Sequence, residues 1–222
     1  MSLRRTRALC HGIALSALLL AAPAFAGPPL LCHPFDTGGA PSLDWGGKGW
    51  NQARADYPLD RLVADTEALL TPATPVIARM ETLRRAAIYA SRDGRVARDL
   101  AARLDARFAA ASGNDARALA AFDAGYFRET VQDIVRLQGY DMPGIGKVDL
   151  RAVNAVLARG DGSRRIAEAL QLKPGDASMR FASALVASAD QRRDDYAVQA
   201  RLARAGARGD RLLALNLDKI AN

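Results

Sequence analysis

The chain has 222 residues and a formal charge of +7, from 31 Lys+Arg against 24 Asp+Glu. Two cysteines and two histidines are too few for a disulfide framework or a Cys/His zinc site. The positive charge is interleaved with acid, as in Arg92-Asp93, Arg98-Asp99 and the run from Asp190 to Asp195. The one-signed stripe that nucleic-acid binding requires is therefore missing, and the charges read as solvated helix faces.

Residues 1–26 have the pattern of a cleavable export signal. Arg4, Arg5 and Arg7 precede an apolar run over 13–22, and Ala24-Phe25-Ala26 supplies the small-x-small cleavage site. Cleavage is expected before Gly27, which places the mature protein in the periplasm or outside the cell. Neither Cys10 nor Cys32 has the small residues before it that a lipid-anchor site needs. No later stretch is apolar and long enough to span a bilayer, so no stable membrane insertion is expected after cleavage. Removing Arg4, Arg5 and Arg7 lowers the charge from +7 to +4. The remaining ~196 residues suffice for one domain with its own core. They retain one cysteine, Cys32, and one histidine, His33, so an internal disulfide is impossible and packing alone must hold the fold.

Residues 27–58 differ from all that follows. Pro28, Pro29, Pro34, Pro41 and Pro58, with Gly38-Gly39 and Gly46-Gly47, forbid a long helix. Leu30, Leu31, Phe35, Trp45 and Trp50 are too apolar for a disordered tail. The pattern predicts an irregular Pro/Gly/Trp-rich arm that packs along helices and covers the first hairpin. Its candidate functional residues are Cys32, His33, Asp36, Trp45 and Trp50. Cys32, His33 and Asp36 are ligand-capable, and a turn at Pro34 could converge them on a soft metal. No further Cys or His exists in the mature chain to complete such a set, so no metal or cofactor is expected. Cys32 then reads as a packed cysteine, with a reactive or partner-bonded thiol as the alternative. The Leu-Cys-His-Pro stretch is similar to secreted bacterial proteins that open this way, a resemblance that carries no function.

From residue 59 to residue 222 the spacing is helical. Leu62, Val63, Thr66, Leu69 and Leu70 make a short amphipathic helix. Thr74-Pro75 is a start signal, and Val76, Met80, Leu83, Ala87 and Ala90 follow on one face. Asp93-Gly94 and Gly113-Asn114-Asp115 break the next two helices apart. The first of these carries Leu100, Leu104 and Phe108, and the second carries Leu119, Phe122, Tyr126, Ile134 and Val135. The Gly/Pro-rich stretch 139–146 is the one plausible seam. A helix through Leu150, Val153, Val156 and Leu157 ends at Gly160, and another over 166–172 is closed by Lys173-Pro174-Gly175. The helix over 194–205 can end in a left-handed cap at Gly206. A last helix over 210–220 would cap the open end of the array.

Gly175-Asp176 and Gly209-Asp210 recur 34 residues apart, and each aspartate precedes an apolar-periodic run. Two helices per unit at this period, with Ala169, Pro174, Asp176 and Ala184 at the junction, resembles the tetratricopeptide repeat. The match covers about a quarter of the chain. Arg208 stands where a second proline would be, and Ala187 where a tyrosine is usual. None of the family's peptide-clamp residues carries over. The resemblance implies an all-α fold of stacked antiparallel hairpins, a tetratricopeptide-like solenoid. Such arrays present extended concave surfaces, so the expected function is a protein- or peptide-binding adaptor of the bacterial envelope. The alternative is an exported hydrolase, or a thiol or metal protein that uses the arm. For a hydrolase the available carboxylates are Glu81, Glu129 and Asp133; each has arginines near it, and the expectation is that they form surface ion pairs.

Overall fold

The computed structural model describes residues 27–137 and 145–220, and every regular element within them is helical. The expected export signal and most of the Gly/Pro-rich seam lie outside the described residues. In chain order the helices are α1 (Leu62–Leu69), α2 (Val76–Ala90), α3 (Gly94–Ala110), α4 (Asn114–Arg136), α5 (Leu150–Leu157), α6 (Gly162–Leu172), α7 (Ala177–Ala189), α8 (Arg193–Gly206) and the single turn α9 (Arg211–Ala214). None of them is long and apolar enough to cross a membrane.

One device starts most of these helices. An aspartate just before the first turn accepts a backbone N–H two or three residues on. Asp93 takes Arg95 N at 2.8 Å, Asp149 takes Ala152 N at 3.0 Å, and Asp161 takes Arg164 N at 3.1 Å. The two aspartates of the 34-residue period do the same, Asp176 with Met179 N at 2.9 Å and Asp210 with Leu213 N at 3.0 Å. Helix α2 starts differently. Pro75 fills the capping position, and the Thr74 hydroxyl turns back to donate to Leu69 O at 2.7 Å, closing the end of α1.

Helix α4 packs against α2, α3, α5, α6 and α7. It runs antiparallel to α6, with Arg117 reaching Glu168 at one end and Gly125 meeting Gly162 at the other. Two glycines let the backbones touch. A Cβ on Gly125 would lie 2.7 Å from Gly162 O and 2.9 Å from Arg165 Cβ. Helices α7 and α8 form a second antiparallel pair, closed at its open end by Gly206 against Ala177. Gly206 has φ −87°, so the expected left-handed cap is not formed; the chain runs on into a 3-10 turn over Ala207–Gly209. The glycine is needed for proximity instead, since a Cβ there would lie 2.4 Å from that of Ala177.

The expected last helix over 210–220 is also corrected. Only Arg211–Ala214 is α-helical, followed by a 3-10 turn over Leu217–Lys219. Asn216 lies at the break. Its side-chain amide donates to Leu212 O and to Asp36 O, both within 2.9 Å, and its carbonyl accepts Asp36 N at 2.9 Å. These side-chain bonds to a distant segment compete with continuation of the helix through Asn216.

Residues 27–58 contain no helix, yet Leu30, Leu31, Phe35 and Leu43 are all buried in the common core. Phe35 stands edge-on to Phe181 of α7, ring centroids 6.1 Å apart. Tyr57 stacks on Tyr89 of α2 at 4.2 Å, and Trp45 meets the same ring edge-on at 5.4 Å.

Candidate functional site

An extended segment without a helix of its own must find partners for its main-chain N–H and C=O groups. Here they come from charged side chains of the helices. Glu81, at the centre of α2, is fully buried and grips Arg84 with both oxygens, at 2.7 and 2.8 Å. Arg85 adds a third bond to the same carboxylate at 2.7 Å. A fourth donor is the backbone N–H of Phe35, at 3.0 Å. Arg84 then turns its remaining nitrogen to Leu31 O at 3.2 Å and Trp50 O at 3.1 Å, and Arg85 reaches Leu43 O. Both guanidiniums lie over the Trp45 ring, 5.2 and 5.7 Å from its centroid. Burial pushes the Glu81 carboxyl up, but Arg84, Arg85 and the Phe35 N–H outweigh it and hold the group below the ordinary glutamate value.

Helix α4 supplies a second grip. Asp133 accepts Leu30 N at 3.0 Å and Arg136 at 2.7 Å, and Arg136 continues to Asp190 in the turn between α7 and α8. Burial pushes Asp133 up to about 6, against the pull of Arg136 and of the Leu30 N–H. One turn earlier Glu129 accepts the Ser163 N–H at the start of α6; burial and then Asp190 push it up to about 7, with Arg136 opposing. The expectation of surface ion pairs is thus overturned: Glu81, Glu129 and Asp133 are 0%, 7% and 0% exposed. Arg79, Arg84 and Arg128 are buried as well, so these arginines are not on solvated faces. Arg79 pairs with Asp123 of α4 at 2.7 Å, joining the two central helices.

The candidate residues of the 27–58 segment fall along this seam. Cys32 is half-buried, and its thiol is pushed up to about 11, first by burial, then by Asp133, with Arg84 opposing. It is a neutral thiol at physiological pH and a poor nucleophile. His33 is half-buried, and its imidazole is lowered, first by burial and then by Lys219, with Asp218 opposing. Asp36 is exposed; its backbone is clasped by Asn216 while its carboxylate accepts Gly38 N at 2.8 Å. Trp45 and Trp50 are partly buried against the core, and Trp45 donates its indole N–H to Gly49 O at 2.9 Å. Among the described residues no group of three or more His, Cys, Asp or Glu side chains is placed to hold a metal ion. Sequence reasoning missed Asn216, Arg84, Arg85 and Gly125.

Open clefts are present among the described residues. A groove of about 380 Å³ runs between α6, α7 and α8, with Ile166, Leu170 and Val186 on its floor and Arg180, Ser183 and Gln199 on its sides. A cleft of about 330 Å³ contains Glu129 and Asp190, and one of about 520 Å³ lies between Tyr57, Arg54 and α1. Comparison with protein-family models, with curated proteins and with solved structures returns no match for this chain.

Proposed function

We propose that the chain is an exported helical protein- or peptide-binding adaptor, and that its partner lies in the groove between α6, α7 and α8. The observation that carries this reading is the composition of the groove. An apolar floor flanked by an arginine, a serine and a glutamine can take side chains of an extended peptide while bonding its main chain. The α7–α8 hairpin begins at one Asp cap of the 34-residue period and is followed by the next, which supports tetratricopeptide-like stacking for this part of the chain. The hydrolase or thiol alternative has less behind it. The Glu129 carboxylate is already engaged by the Ser163 N–H, and the Cys32 thiol is neutral.

The test is selection of binders from a random peptide library, followed by titration against the intact chain. Ser183→Tyr and Gln199→Ala change half-exposed groove positions without touching the core. The reading predicts that selected peptides lose at least about tenfold in affinity to these variants, some 1.4 kcal/mol, at unchanged melting temperature. Peptides that bind both variants as they bind the parent would remove the groove from the account.

A further inference from the structure

The contacts of residues 27–47 have the form of a ligand held in a site. Their main chain is read by side chains of α2 and α4 and by Asn216: Leu30 N by Asp133, Phe35 N by Glu81, Leu31 O by Arg84, Leu43 O by Arg85, and Asp36 N and O by Asn216. Their large side chains are anchors, with Leu30 and Leu31 0%, Leu43 1% and Phe35 4% exposed. The residues between the anchors, Cys32 to Pro34 and Asp36 to Pro41, are at least partly open to solvent. This division, side-chain anchors for specificity and main-chain bonds for grip, is how grooves recognise extended peptides.

The segment has little structure of its own. Its internal backbone bonds up to residue 45 are two to Pro28 O and one turn from Ala40 to Thr37. Its course is therefore imposed by the helices. It leaves them through Gly46, Gly47 and Lys48, which are exposed, and a loop closed by Gly46 N to Gln52 O at 3.0 Å.

We propose that α2, α4 and α7, with Asn216, form a peptide-reading groove that the chain fills with its own residues 27–47, and that the groove exchanges this segment for the same segment of a second copy of the chain. The occupant follows from the contacts. A second copy offers the identical anchors and main-chain register, so every bond made within one chain is available between two. In the intact chain the tether favours the resident segment by its high effective concentration. This site is distinct from the α6–α8 groove and does not depend on it.

The chain has four lysines, Lys48, Lys147, Lys173 and Lys219. In the full chain carrying Lys147→Arg, Lys173→Arg and Lys219→Arg, a lysine-specific protease cuts at exposed Lys48 alone and severs the tether after folding. Nicked light-isotope and nicked heavy-isotope chains are then mixed and followed by native mass spectrometry. The proposal predicts that each nicked chain keeps its fragment and that light bodies acquire heavy fragments until the mixed species reach roughly half of the total. A heavy chain also carrying Phe35→Ala should place its fragment on light bodies at least tenfold less well. Parental species alone after prolonged mixing would overturn the proposal, and so would loss of the fragment with unfolding of the nicked chain. Equal uptake of the Phe35→Ala fragment would overturn the anchored reading of the groove.

Discussion

Helices α2 and α8 are alike in length and both carry several charges, yet they are opposites in the fold. Of the 15 residues of α2, 14 are buried. Of the 14 residues of α8, only Ala200 and Ala203 are. The difference lies in what surrounds them. Helix α2 is enclosed by α1, α3, α4, α7 and the 27–58 segment, whereas α8 rests on α7 and leaves its charged face to water. Charges therefore have two meanings in one chain. On α8 they solubilise. On α2 they are paired, Glu81 with Arg84 and Arg85, Arg79 with Asp123; the remaining hydrogen-bonding capacity of Arg84 and Arg85 goes to backbone of the 27–58 segment, and that of Arg79 to Thr71 O and Thr74 O. Pairing is what permits the burial, since an isolated interior charge is costly.

The largest contrast should appear on deleting one carboxylate from each helix. Glu81→Ala leaves Arg84 and the Phe35 N–H buried without their acceptor, and is expected to cost about 3–5 kcal/mol in urea unfolding. Asp194→Ala on exposed α8 should stay within about 0.5 kcal/mol of the parent. Equal effects would erase the distinction between the helices.

Glycines sharpen it in a second way. Gly125→Ala forces a methyl against Gly162 O and Arg165 at the α4–α6 crossing, and should cost up to about 3 kcal/mol. Gly175→Ala meets nothing within 4 Å and has no left-handed φ, so it should be neutral or stabilising by up to about 1 kcal/mol. Chemical denaturation of both variants decides the point.

The buried carboxylates also imply an uncommon pH dependence. Glu129 and Asp133 are pushed up to about 7 and about 6, so between about pH 4 and 7 the folded chain binds protons that the unfolded chain has released. These two groups make stability rise on acidification, and it falls as pH increases through about 7. Glu81 is shifted the other way, so its contribution is present above the usual glutamate range and is lost as pH falls through its lowered value. Melting temperatures should therefore peak in mildly acidic buffer. Glu129→Gln should flatten the limb above pH 5 and stabilise the chain at pH 8, on the order of 2 kcal/mol. A parent that is most stable at pH 8 would contradict the burial of Glu129. A modest loss is expected at Cys32→Ser, about 1 kcal/mol for a half-buried thiol, with slow alkylation of the parent at pH 7.

Much of the helical layout could be read from local signals. Asp93, Asp149, Asp161, Asp176 and Asp210 sit at helix starts because capping is decided within a few residues. The burial of α2 and α4 could not be read this way. An arginine three residues after a glutamate has the same spacing on an exposed face as in a core, and only the neighbours decide which it is. Asn216 was equally silent, because its partner, Asp36, lies 180 positions away in the sequence. Gly125 and Gly206 gave no hint of close contact for the same reason. The apolar residues of the 27–58 segment announced that it packs; the carboxylates that receive its backbone belong to helices it meets only in the folded chain.

The central claim is that buried carboxylates of α2 and α4 hold the main chain of the 27–58 segment, and residue-resolved hydrogen exchange tests it most directly. Leu30 and Phe35 lie outside every helix, and their N–H groups are bonded to Asp133 and Glu81. Their amides should exchange far more slowly than the exposed Lys48 amide, which exchanges freely. Exchange of Leu30 and Phe35 as fast as that of Lys48 would contradict the claim.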